Sequence, residues 1–375
     1  MSICVLEWIY MIERTSSLVR SVVMENEINE NLDVKKQKDE TKMGVVLLTE
    51  RRKKHKKRIG LLIILLLITG IMLGTTTYAW FTANKTVNVN KITVNVAAQN
   101  GIQISVDGTT WKSIIQTDDI KGASAKYAAA KNQLPVSIEP VSTVGEMDQD
   151  GLMKMYYGVV DTNDGGDYIL TATKNTEKNG VDGKFIAFDL FFKVDAETNT
   201  YLTSSSGVVA DGNDSGIKNA SRMAFAVLGN TTAGDTLENI QKLNAGTSAV
   251  VNIWEPNYDI HKPAAVSHAR DTYGITTQET GAEQIKYDGI KAEITKENNV
   301  LVGEANSTRY TDYFGNTTMK YSTAADFTQK VSFLTLQPGI TKVRMYMWIE
   351  GQDVDCENVA SGGSISYNLQ ITTEA

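Results

Sequence analysis

Cysteine and histidine are scarce in this 375-residue chain, with two of the first and three of the second. Cys4 and Cys356 fall on opposite sides of a long apolar run, so the larger part of the chain, after that run, has no pair for an internal disulfide. Its stability must come from packing or assembly, and Cys356 is expected to be buried, as unpaired cysteine usually is. Only His261 and His268 lie beyond the run, and no His-Glu-x-x-His occurs, so zinc hydrolysis lacks its usual ligand set. The two histidines are expected in a solvated loop. The nucleophile elbow Gly-x-Ser-x-Gly is missing as well, which removes the commonest serine hydrolase signature. Positive charge is also short there. Residues 80–375 carry 24 Lys and Arg against 35 Asp and Glu, net −11, with no basic stripe to neutralise phosphates, so nucleic acid is not expected as a partner.

What the chain does have is a basic block followed by an apolar run. Arg51 to Arg58 holds seven Lys or Arg and one His, Ile59 to Gly74 is apolar, and Thr75-Thr76-Thr77-Tyr78-Ala79-Trp80-Phe81 follows. A cationic block held at the cytoplasmic face, an apolar run entering the bilayer and small residues after it make an export signal, with cleavage expected between Ala79 and Trp80. Ile59 to Gly74 is 16 residues. At ~1.5 Å per residue that is about 24 Å of helix, shorter than a ~20-residue hydrocarbon span. Extending the run through Phe81 gives the alternative of a retained anchor, with residues 59–81 in the membrane and Tyr78, Trp80 and Phe81 at its surface. In either case the positive-inside rule places the rest of the chain outside the cytoplasm: secreted or at the cell surface if cleaved, membrane-anchored if not.

The expected organisation is therefore residues 1–50 as a largely disordered cytoplasmic or over-extended segment, 51–79 as the signal or transmembrane helix, and 80–375 as the exported domain. Met24 and Met43 are in-frame, and a start at Met43 would leave a conventional short basic leader.

Strand signals dominate the exported part. Ile92, Val94 and Val96 alternate with polar residues, as do Ile102, Ile104 and Val106, and Asn100-Gly101 between them predicts a hairpin. Val87 and Val89 have the opposite parity, so the register must slip near Asn90-Lys91. Further strands are predicted at Tyr168 to Thr173, Phe185 to Val194, Met223 to Leu228, Val250 to Trp254, Val331 to Leu336, Thr341 to Glu350 and Ser364 to Ile371. The run Phe185 to Phe192 is too apolar for an edge and predicts a central strand buried on both faces. Short helices are predicted at Lys121 to Asn132, Thr236 to Leu243 and Ala324 to Gln329. About ten strands, no repeat and no heptad indicate an all-β fold, a jelly-roll-like antiparallel β-sandwich, with long loop insertions near 115–165 and 255–320.

Oxygen ligands recur at Asp161-Thr162-Asn163-Asp164 and Asp211-Gly212-Asn213-Asp214. Calcium is the one cofactor they suggest, through Asp161, Asp164, Asp211 and Asn213. Neither loop has the closing glutamate, and Asp/Asn/Gly turns between strands explain both as well. A third acidic group, Glu350, Asp353, Asp355 and Glu357, has the same two explanations. No catalytic residue stands out.

The leader ending Thr77-Tyr78-Ala79-Trp80-Phe81-Thr82, followed by Ile92 to Val96, resembles the SipW-type signal and first strand of the TasA/camelysin family of Gram-positive surface proteins. Met345 to Cys356, with Ser361-Gly362-Gly363 and Asn368-Leu369-Gln370, resembles the C-terminal end of clostridial relatives with such signals. The likeness covers about a quarter of the chain. It implies a jelly-roll domain, processing by a SipW-type signal peptidase, and self-association or pairing with other matrix proteins in extracellular matrix or biofilm fibres. The freed N-terminal strand of one subunit then completes the sheet of the next. Thr86, Val87, Asn88 and Val89 would be that donor strand here, and an ordinary strand folded back in cis is the alternative. The resemblance also keeps open an extracellular metal-dependent protease of camelysin type, and a membrane-anchored binding module stands as a third possibility.

Overall fold

A computed structural model of the protein describes residues 86–96, 101–257, 261–273, 288–305, 307–317, 319–321, 331–356 and 362–373. The basic block, the apolar run, Ala79, Trp80, Glu357 and the helix expected at Ala324 to Gln329 lie outside them.

The described chain is all-β, with two large sheets and a few short helices. The first sheet runs β15 (Leu334–Leu336), β8 (Thr198–Leu202), β17 (Ser364–Thr372), β1 (Val87–Val96) and β3 (Ile114–Gln116). In it β4 (Ser137–Ile138) pairs with β1 and β9 (Gly207–Ala210) pairs with β17. The second runs β14 (Met319–Tyr321), β11 (Val250–Trp254), β10 (Ser221–Thr231), β16 (Gly339–Ile349), β7 (Ile186–Val194) and β2 (Gln103–Ser105). Most pairings are antiparallel; β1 with β17 and β11 with β14 are parallel.

The main core lies between these sheets. Val87, Ile92, Val94 and Val96 of β1 and Ile365, Tyr367, Leu369 and Ile371 of β17 belong to the same cluster as Ile186, Phe188, Leu190 and Phe192 of β7 and Val343, Met345 and Met347 of β16. The other face of the second sheet is covered too: Phe185, Ala187, Ala224, Ala226, Tyr346 and Trp348 pack with Val141, Met147, Met153 and Met155. This double cover is why Phe185 to Phe192 has no polar alternation. Every one of those residues is buried, and truncating one, such as Phe188→Ala, removes ~3–5 kcal/mol.

The parity slip in β1 is a bulge. Val89 faces Ile365 and Lys91 faces Ser366, leaving Asn90 as the extra residue. Both Val87 and Ile92 are thereby turned into the core. The hairpin expected at Asn100-Gly101 does not form: β1 and β2 belong to different sheets and are not paired. Ile92, Val94 and Val96 share one core with Ile102, Ile104 and Val106. Alternation specifies which face of a strand is buried; it does not say whether the next strand lies beside it or across the core.

The predicted helices are shorter or displaced. Asp119 Oδ2 accepts from Gln116 N at 2.9 Å, starting α1 at Thr117–Gly122, ahead of the expected Lys121. α2 (Leu237–Lys242) forms as expected, with Thr236 Oγ1 accepting from Asn239 N at 3.3 Å. The interval near 255–320 is more than loop. It contains α3 (Pro263–Tyr273), β12 (Asp288–Ile290) and β13 (Phe314–Asn316), the last two paired with each other. With the hairpin of β5 (Tyr156–Thr162) and β6 (Tyr168–Lys174), it encloses a second core of Tyr156, Leu170, Val266, Ile290, Ile294, Val300, Tyr310, Phe314 and Val354. Among the described residues no helix is long and apolar enough to cross a membrane.

Candidate functional site

Val354 enters this second core from the turn that follows β16, and its two neighbours face elsewhere. Asp353 and Asp355 are buried at 2% and 1% side-chain exposure beside His261, whose side chain is 10% exposed. The turn is rigidly tied. Asp353 N donates to Glu350 O, Gly351 N to Val141 O, and Asp355 N to Asp353 Oδ1 at 2.8 Å. Cys356, also buried, ends it with its N–H on Asp353 O.

Three further segments converge there. His261, just before α3, places Nδ1 2.7 Å from Asp355 Oδ2 and 3.9 Å from Asp353 Oδ1. The next backbone amide, Lys262 N, donates to Asp355 Oδ1 at 2.9 Å. Arg222, near the start of β10, is 1% exposed; its Nη2 meets Asp353 Oδ2 at 2.5 Å and Glu255 Oε1 at 2.8 Å, and its Nη1 donates to the carbonyls of Asn219 and Ser221 at 3.0 Å each. Glu255 directly follows β11. Sheet topology therefore gathers charges that are far apart in sequence.

The electrostatics follow from burial and neighbours. Burial alone would lower the His261 pKa, but the Asp355 hydrogen bond and the charges of Asp353, Asp355 and Glu255 outweigh it and raise the value. Burial raises Asp355, and the charge of Asp353 adds to this against the opposing His261 and Lys262 contacts. Glu350 is buried at the base of the turn and pushed up to about 7 by desolvation, although Ser142, Trp348 Nε1 (3.1 Å) and Gln352 N (3.0 Å) hydrogen-bond it and Arg222 lies near.

Among the described residues, His261, Asp353 and Asp355 are the group with ligand atoms gathered as a metal needs, all within 4.8 Å of one another. The expectation of two solvated loop histidines is thus corrected: His261 is nine-tenths buried against two carboxylates, and His268 lies half-buried on α3. The residue types were visible in sequence, as a histidine and an acidic group 90 residues apart, but nothing local joined them. Arg222 and Glu255 gave no signal, since each sits at the end of an apolar strand.

The other nominated residues lie in separate turns and strand ends. Asp161 pairs with Lys296 at 3.2 Å and accepts from Thr162 N, while Asn163 and Asp167 close the β5–β6 turn around Asp164. Asp211 Oδ2 accepts from Asn90 Nδ2 at 3.1 Å and from Ser366 Oγ at 2.7 Å, fastening β9 to the bulge in β1 and to β17. In the turn that contains Asn213, Asp214 pairs with Lys218 at 2.9 Å. Asp161, Asp164 and Asp211 do not join the His261 group. Thr86 leads into β1, where Val87 pairs with Ile138 and Asn88 with Ser137 of β4 and Ser364 of β17.

Fold and site define a class: an all-β protein of two facing sheets with an internal charge cluster at the junction with a smaller second core. Comparison with family models, curated proteins and solved structures finds no match for this chain.

Proposed function

We propose that the protein is an exported subunit of the cell surface or extracellular matrix that assembles by β-strand addition. The reading combines the leader-like segment, cut between Ala79 and Trp80, with a jelly-roll-like arrangement of the two sheets, as the TasA/camelysin resemblance implies. The observation that carries it is the pairing of β1. The first strand of the exported part lies parallel to β17 at eight register positions, from Asn88 with Ser364 to Val96 with Ile371. No hairpin ties it to that neighbour. Its other partners, β3 and β4, contribute three and two pairs. The same pairs of Asn88 with Ser364 and Val89 with Ile365, and the same burial of Val87, would form if the Thr86 to Val89 end of β1 came from a second copy, and the vacated end of β17 would be an open strand edge. SipW-type processing would release the end of that strand.

The metal-dependent hydrolase is less well supported. A catalytic metal needs a position open to substrate, whereas the side chains of His261, Asp353 and Asp355 are only 10%, 2% and 1% exposed. Deleting Trp80 to Asn90 tests the strand model: filaments should vanish from electron micrographs while a folded monomer remains. Filaments that survive the deletion rule the model out. Sequencing the mature N-terminus, expected at Trp80, tests the cleavage.

A further inference from the structure

We propose that His261 Nδ1, Asp353 Oδ1 and Asp355 Oδ2 form a site for one divalent transition cation of the zinc class, which fastens the segment opening α3 to the turn after β16. The charge balance points to a cation. Asp353 and Asp355 are buried side by side at 2% and 1% side-chain exposure, with His261 Nδ1 beside both. Two carboxylates held this close in a poorly solvated place repel each other, and a cation bound between them offsets that repulsion. Lys262 does not supply it: its Nζ reaches out to Asp214 O at 3.5 Å, on the exposed side of the loop.

The donor set identifies the class of ion. Calcium and magnesium take oxygen ligands in sets of six or more, whereas an imidazole nitrogen with two carboxylates suits zinc and its neighbours. The geometry requires the three ligand atoms, which lie within 4.8 Å of one another, to draw together. A tetrahedral ion with bonds of ~2.0 Å spaces its ligands about 3.3 Å apart. The two distances from His261 Nδ1, 2.7 Å to Asp355 and 3.9 Å to Asp353, lie on either side of that value. The second oxygen of each aspartate is already fixed, by Arg222 for Asp353 and by Lys262 N for Asp355. These contacts are the outer-shell support that ligating carboxylates require. The ion would take the place of the Nδ1 proton, which moves to Nε2 or to solvent. Water entering past His261 would fill the fourth position.

The site does not depend on strand exchange, and its test does not use filaments. Chelator-stripped full-length protein is dialysed against Zn²⁺, and bound metal is counted by atomic emission. One equivalent should bind the wild type. His261→Ala and Asp355→Asn should each weaken binding by more than ~100-fold, beyond the usual outer-shell effect, while Asp161→Asn and Asp211→Asn should leave it unchanged. No stoichiometric zinc in the wild type, or binding that survives His261→Ala, overturns the proposal. If circular dichroism shows either variant unfolded, the visible spectrum of the Co²⁺-loaded wild type decides. Intense tetrahedral bands support the site, and weak octahedral bands overturn it.

Discussion

Asp189 offers the sharpest test of how the buried second sheet is held. It stands on β7 directly opposite Arg344 of β16. Its Oδ1 meets Arg344 Nη1 at 2.5 Å, and its Oδ2 meets Lys342 Nζ at 3.2 Å and accepts from Tyr127 OH at 2.8 Å. Glu177, which also pairs with Arg344, is the second anion of the group. Two cations and two anions therefore balance where Asp189, Lys342 and Arg344 are 2%, 6% and 3% exposed. Asp189→Asn preserves shape and removes one negative charge, leaving two buried cations against Glu177. Breaking a buried pair in this way costs ~3–5 kcal/mol. The 296 residues from Trp80 to Ala375, at ~2.1 cal/mol/K each, give an unfolding entropy of about 0.6 kcal/mol/K, so the melting temperature should fall by about 5–8 °C. Thermal unfolding followed by circular dichroism measures it. Because the group is shielded from solvent ions, the drop should be alike in low salt and in 1 M salt. Glu238→Gln, which breaks the exposed pair with Lys242, should leave the melting temperature unchanged. A loss below 2 °C for Asp189→Asn would refute the view that charge balance holds this face.

Deleting Asn90 should be tolerated to within about 1 kcal/mol by chemical denaturation, because a strand without the bulge still turns Val87, Val89 and Ile92 inward; deleting Thr93 instead should unfold the domain, since every apolar residue upstream would change face. Gly339 has φ +108°, and an added Cβ would lie 2.1 Å from Thr231 O, so Gly339→Ala should lower the urea midpoint by the equivalent of several kcal/mol. Cys356 is fully buried, so its thiol should react with Ellman's reagent only after unfolding, and reaction at the rate of a free thiol in native protein would contradict the packing. Glu350 is raised to about 7 from an ordinary 4.5, so the folded state binds more protons than the unfolded one between those values. Stability of metal-free wild type should therefore be highest below about pH 4.5 and fall by about 3 kcal/mol as pH rises to about 7, relative to Glu350→Gln. Parallel pH profiles for the two proteins would show that Glu350 is not the source.

The sequence was most informative where burial is uniform or strictly periodic. Phe185 to Val194 declared a strand covered on both sides because Asp189 is the one polar residue between Phe185 and Phe192, and β17 and the slip at Asn90 were legible from parity. Pairing was not legible. Ile92 to Val96 and Ile102 to Val106 have the pattern of a hairpin and instead face each other across the core, since alternation carries no information about the neighbouring strand. The second core was hidden because Ile290, Ile294, Val300, Tyr310 and Phe314 are spread among polar residues with no fixed period. The candidate metal residues were visible singly; His261 meets Asp353 and Asp355 only through the path of β16 and the placement of α3.

The parallel pairing of β1 with β17 has a mechanical consequence. Tension applied at Val87 and Thr372 pulls the two strands past each other along their length, so the register from Asn88 with Ser364 to Val96 with Ile371 is loaded in shear and must yield together. An antiparallel hairpin pulled from its two free ends opens one pair at a time. Whether β1 stays in its own domain or bridges two, a chain of such subunits under load would resist as a set of parallel bonds, and its weakest points would be sought outside this joint.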